Sequence, residues 1–129
     1  MVKVMYTIGE RKMLFIEYPK CTTCKKAKKW LDDHNIEYTD RHIKDQNPSY
    51  DELKKWKEES GLPIKRFFNT SGMLYREMQL KDRLPEMTEE EMLRLLSTDG
   101  MLVKRPIIVC KDKVLTGFWE KEWEELLLK

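Results

Sequence analysis

No run in this chain approaches the ~20 consecutive apolar residues of a membrane-spanning helix. The N-terminus, Met1-Val2-Lys3-Val4-Met5-Tyr6, lacks the long apolar core and small-residue cleavage site of a secretory signal peptide. Cysteine is scarce. The three present cannot all pair within the chain, which argues against a disulfide scaffold. The two histidines, His34 and His42, do not form the paired spacing of a zinc site. The net charge is only +2, so no global field draws nucleic acid. No internal repeat or low-complexity stretch is present. These absences imply a cytoplasmic protein with no membrane partner and no direct nucleic-acid binding. Hydrophobic residues at 40% and charged residues at 37% suit a small soluble globule, and 129 residues suit a single domain (1–129) with its own core.

Against that background, Cys21-Thr22-Thr23-Cys24 stands out. It follows an apolar, strand-like run, Met13 to Tyr18, ended by Pro19-Lys20, and it opens a helical pattern from about Thr22 to Asn35. A thiol at a helix N-terminus faces outward-pointing N–H groups and the positive end of the helix dipole, which stabilise its thiolate. Cys21 is therefore the candidate nucleophile. Cys24, one turn on, can attack Cys21 in a mixed disulfide and release it. Two other readings compete. A lone C-x-x-C is also half of a zinc site, but Cys110, His34 and His42 make a poor second half. Two inert cysteines at a helix end are the third option. The strand–C-x-x-C–helix context favours the redox dithiol, with no bound cofactor or metal and an external thiol reductant.

Lys25, Lys26, Lys28 and Lys29 follow the motif. They read either as a solvated helix face or, led by Lys25, as cations that help hold a thiolate or an anionic substrate. Ala27, Trp30 and Leu31 share the apolar face of the helix. Ile36 to Ile43 alternates as a second strand, so the first part is a βαβ unit with parallel strands. Ser49-Tyr50-Asp51-Glu52 is a capping box that starts a helix ending before Gly61. Pro63 to Phe68 reads as a short helical turn closed by Asn69 to Gly72, and Leu74 to Leu84 as partly helical. Thr88 to Glu91 is a second capping box, and Asp99-Gly100 stops its helix. Pro106 to Cys110 and Val114 to Gly117 form an antiparallel hairpin. A last helix runs from Trp119 to Leu128.

The sum is an α/β chain: βαβ, then ββα, forming a mixed four-stranded sheet, with a helical insert between the halves. The core is placed at 13–48 and 101–129 and the insert at 49–100. Residues 1–12 are an extension or an extra strand, with Val2 to Ile8 turning at Gly9-Glu10. Cys110 shares a strand face with Ile108 and reads as a buried small hydrophobe. Trp30, Trp56, Trp119 and Trp123 read as core. Both histidines read as surface residues.

The order βαβ–ββα with C-x-x-C after the first strand is that of a thioredoxin-like fold. Such folds set a proline opposite the dithiol, and Pro106 is well placed for it. More specifically, three stretches match: Tyr18 to Ala27, then Phe67 to Gly72 with Tyr75-Arg76, and Lys104 to Ile108. With Asp99-Gly100 and Gly117-Phe118 they resemble the arsenate reductase-like family, which includes the Spx-type transcriptional regulators. The resemblance implies that Cys21 is the nucleophile, that Arg76 and Arg105 hold an oxyanion, and that Pro106 is a cis-proline. The family's glutathione-dependent arsenate reductases carry a third arginine where this chain has Thr116-Gly117, and they lack a thiol at the position of Cys24. The implied activity is thus reduction of an oxyanion or disulfide by an internal dithiol, recharged by thioredoxin, glutathione or another small thiol. The alternative is a redox-sensing Spx-type regulator that binds the RNA polymerase alpha subunit.

Overall fold

The computed structural model describes residues 13–111 and 113–128. The strand expected over Val2 to Ile8 lies outside the described residues. Two compact units result, one built from residues 13–42 and 105–128, the other from residues 43–104.

The first unit is a four-stranded sheet with two helices. Strand β1 (Leu14–Glu17) leads through a turn into helix α1 (Thr22–Asp33) and returns as β2 (Thr39–His42). Strands β3 (Ile107–Cys110) and β4 (Lys113–Thr116) follow, then the C-terminal helix Glu120–Leu127. The strand order is β2-β1-β3-β4. β1 and β2 are parallel, with Phe15 opposite Asp40 and Glu17 opposite His42. β3 runs antiparallel to both β1 and β4. Phe15, Ile108 and Leu115 lie directly opposite one another and form one buried row across the sheet. Ala27, Trp30 and Leu31 of α1 pack on this row with Trp123 and Leu127 of the last helix. One sheet face and two helix stripes thus remove their apolar surface from water together. Cys110 belongs to this core at 1% exposure.

The second unit is helical. Helix α2 (Tyr50–Ser60) and helix α5 (Glu89–Leu96) both begin with complete capping boxes, Ser49 with Glu52 and Thr88 with Glu91. Between them lie a 3₁₀ turn (Ile64–Phe67), helix α3 (Met73–Glu77), helix α4 (Leu80–Arg83) and a second 3₁₀ turn (Leu84–Glu86). The mixed pattern of 74–84 is therefore two short helices, broken at Gln79 with φ 55°. The Phe67 carbonyl accepts the Lys104 N–H at 2.8 Å, and the Leu102 carbonyl accepts the Asn69 N–H at 2.8 Å. Gly100 is required by space: a Cβ there would lie 1.8 Å from the Ile43 carbonyl oxygen. In chain order the C-terminal helix is α6. Among the described residues no helix is long and apolar enough to cross a membrane.

Several elements are shorter than the periodicity implied. α1 stops at Asp33, because Asn35 takes φ 58°. The Ile36 N–H then bonds back to the Leu31 carbonyl, so the chain is still leaving the helix where a strand was expected. α6 begins at Glu120, with Trp119 as an extended N-cap. Trp119 is 57% exposed, which corrects its expected place in the core. Its side chain leaves the chain before the helical face is established. His34 is half-buried against Trp30, with ring centroids 4.1 Å apart, rather than at the open surface.

Candidate functional site

The turn Tyr18-Pro19-Lys20 delivers Cys21 to the start of α1. Its closure is a hydrogen bond from the Cys21 N–H to the Tyr18 carbonyl at 2.9 Å. Cys21 is the N-cap residue, with φ −85° and ψ 125°, and its carbonyl accepts the Lys25 N–H at 3.0 Å. Its sulfur accepts the Cys24 N–H at 3.4 Å. A thiol thus takes the place usually held by a serine or aspartate oxygen. No acidic residue lies in the first turn of α1 to compete for this positive end.

Burial alone would push the Cys21 thiol up. The Cys24 backbone N–H and thiol and the Arg105 guanidinium outweigh it, and the net effect holds Cys21 below the usual thiol value. Arg105 bonds to the Cys21 sulfur and lies 5.2 Å from the Tyr18 ring centroid, stacked over the turn that presents the cysteine. Tyr18 in turn meets His42 edge-on at 5.7 Å.

Cys24 is the opposite case. It is fully buried, and burial pushes its thiol up to about 12, although the Tyr18 N–H donates to its sulfur. All three cysteines are free thiols. The pair therefore combines one easily ionised, half-exposed sulfur with one buried, protonated sulfur a turn away.

Pro106 is buried and follows a cis peptide bond from Arg105. Its carbonyl accepts the Gly117 N–H at 2.7 Å. Gly117 takes φ 76°, a conformation open to glycine at little cost. The Gly117 carbonyl accepts the Trp123 indole N–H at 3.1 Å, fully inside the core. A chain of hydrogen bonds from α6 thus fixes the segment that carries Arg105.

The lysine cluster divides. Lys28 pairs with Asp40 at 2.9 Å and Glu17 at 3.7 Å, and Lys29 pairs with Asp33 at 2.9 Å. Lys25 and Lys26 are exposed in the first turn. Arg76 sits on α3 of the helical unit, exposed, with its guanidinium donating to the Ser71 carbonyl at 3.4 Å. The structure thus brings together Cys21, Cys24, Arg105 and Pro106 within one unit. Sequence reasoning missed Tyr18 as the platform for Arg105, and it missed the buried Glu17. The signal for Glu17 was there: a carboxylate ending an apolar strand, directly before the cysteine turn. Among the described residues no group of three or more His, Cys, Asp or Glu side chains could hold a metal ion.

Comparison with known proteins gives the same frame. The ArsC family model matches residues 16–126. The chain is 54% identical to the uncharacterized protein YusI of Bacillus subtilis over 113 residues, covering 88% of this chain and 96% of that one. It is 34% identical over 109 residues to the regulatory protein MgsR of Bacillus subtilis, covering 84% and 85%. A crystal structure from Streptococcus mutans UA159, described as a possible arsenate reductase, superposes with a TM-score of 0.80 at 41% identity, covering 88% and 98%.

Proposed function

The chain belongs to the ArsC family, and on that premise we propose that it is a cytoplasmic thiol–disulfide oxidoreductase that works through Cys21 and Cys24. The observation that carries this reading is the asymmetry of the two sulfurs: one held toward its thiolate by Arg105 and a helix N-terminus, the other buried and protonated one turn on.

In the proposed cycle the Cys21 thiolate attacks an oxidised substrate and forms a covalent adduct, expelling one sulfur of a disulfide as a thiolate or one oxygen of an oxyanion such as arsenate as water. Arg105 neutralises the sulfur before attack and the departing anion after it. Cys24 then attacks Cys21. The Cys21–Cys24 disulfide forms, and the substrate leaves carrying the electron pair. Thioredoxin, glutathione or another small thiol returns two electrons to the disulfide. Lys25 enters this proposal through the lysine cluster that follows the dithiol, and Arg76 through the family resemblance, each as a cation for an oxyanion substrate.

The test is mass spectrometry after mild oxidation. A Cys21–Cys24 linkage should form and should vanish with dithiothreitol, and Cys21→Ser should lose turnover of arsenate or a disulfide dye. Two free, unreactive thiols would refute the reading.

The 34% identity to MgsR favours a second reading, a redox-sensing regulator that binds RNA polymerase. A pull-down with the polymerase alpha subunit, on reduced and oxidised protein, separates the two. State-dependent capture without turnover would favour the regulator.

A further inference from the structure

The helical unit holds a solvent-open cleft that the cycle above does not use. It lies where the 3₁₀ turn Ile64–Phe67, α3, α4, the turn Leu84–Glu86 and α5 meet, and it encloses about 200 Å³. Ile64, Leu84, Pro85 and Met92 give it apolar walls. Leu84 is 6% exposed, while Ile64 and Met92 are half-buried, so apolar surface stays open at the edge of the cleft. Three residues with polar groups complete the lining: Tyr75, Lys65 and Lys81.

None of those three polar groups has a side-chain partner among the described residues. Tyr75 is 6% exposed, yet its hydroxyl makes no hydrogen bond to them. A buried phenol ordinarily finds an acceptor. Lys65 and Lys81 are exposed and form no ion pair among the described residues, whereas Lys28, Lys29, Lys55 and Lys57 each hold a carboxylate. No Asp or Glu is among the described residues that line the cleft. The acids of α5, the helix that supplies Met92, are already engaged: Glu89 by Lys57, Glu90 by Arg94 and Glu91 by the Thr88 cap. An apolar cleft thus carries two cations and a spare hydroxyl donor that no described side chain answers.

We propose that this cleft binds a small aromatic carboxylate, an aryl ring that carries a short acidic arm. Size sets the ring. An apolar cavity of ~150 Å³ takes one benzene, so about 200 Å³ holds one ring and a few further atoms. Drug-sized ligands need pockets of ~300–1,000 Å³ and are excluded. The lining sets aromatic over aliphatic, because the Tyr75 ring and the Met92 thioether both favour an aromatic neighbour. Charge sets the acid. A carboxylate accepts from the Tyr75 hydroxyl and pairs with the ammonium groups of Lys65 and Lys81. The site shares no residue with the dithiol cycle and stands independently of it.

The test is a titration of the isotope-labelled, reduced full-length chain with hydrocinnamate, read by nuclear magnetic resonance of the backbone amides. The amides of Ile64, Lys65, Leu84 and Met92 should shift and saturate, with a dissociation constant of about 1 mM or tighter. Hydrocinnamyl alcohol keeps the ring without the charge and should bind about 5-fold more weakly. Propionate keeps the charge without the ring and should not saturate. The double variant Lys65→Ala, Lys81→Ala should weaken hydrocinnamate about 5-fold and leave the alcohol unchanged. Both lysines are exposed, so this variant keeps its fold. Tyr75→Phe removes only the unpartnered hydroxyl and should weaken the acid by a similar factor. Shifts that do not saturate by about 10 mM, shifts confined to the Cys21 turn and Arg105, or unchanged affinity in either variant would overturn the proposal.

Discussion

Trp123→Phe isolates the hydrogen-bond chain behind Arg105. Trp123 is fully buried, and its indole N–H donates to the Gly117 carbonyl at 3.1 Å. Phenylalanine keeps an aromatic ring against Trp30 and Phe118, whose centroids lie 5.7 and 4.7 Å away. It cannot donate. The Gly117 carbonyl is left unpaired in the core, at about 1–3 kcal/mol. The smaller ring leaves a void worth about 1 kcal/mol more. The expected loss is about 2–4 kcal/mol, read as a fall in melting temperature of roughly 8–16 °C by far-ultraviolet circular dichroism. Trp119→Phe is the matched control. That side chain is 57% exposed, so the change should stay within about 0.5 kcal/mol. Equal effects of the two substitutions, or a Trp123→Phe loss below about 0.5 kcal/mol, would refute the argument.

Three further outcomes follow from the same geometry. Arg105→Met removes a guanidinium that holds the Cys21 thiol down, so the alkylation curve of Cys21 should move to higher pH; an unmoved curve would show that Arg105 does not act on the sulfur. Cys24→Ser should let a Cys21 mixed disulfide with glutathione accumulate as a stable mass adduct, and rapid loss of that adduct would contradict the resolving role. Glu17 titrates near 7 when folded, against an ordinary value of about 4.5, so the folded chain binds the extra proton. Its contribution to stability is complete below about pH 4.5 and is lost as pH rises through 7. Unfolding free energies of the unmodified chain from urea titration should therefore fall relative to those of Glu17→Gln between pH 5 and pH 8, by about 1–3 kcal/mol; parallel curves would refute the assignment.

Much of the fold was legible because its signals are local. The two capping boxes started their helices where a Ser or Thr faced a Glu three residues on. The apolar row of Ala27, Trp30 and Leu31 gave the buried face of α1. The site was legible only in part. Cys21 and Cys24 announce themselves by spacing, but the approach of Arg105 to Cys21 is a contact across 84 positions that no local pattern encodes. The pairing of Lys28 with Asp40 is likewise tertiary, joining α1 to β2. It turns a lysine counted beside the thiols toward the buried carboxyl instead. Trp119 was misplaced because a one-residue difference in helix start changes which direction a side chain takes.

The most direct measurement of the central claim is the alkylation rate of each cysteine against pH, resolved by peptide mass spectrometry. Cys21 should react with an inflection below the ~8.5 of a free thiol, while Cys24 and Cys110 stay unlabelled in the folded chain. An inflection at or above ~8.5, or equal labelling of Cys21 and Cys24, would contradict it.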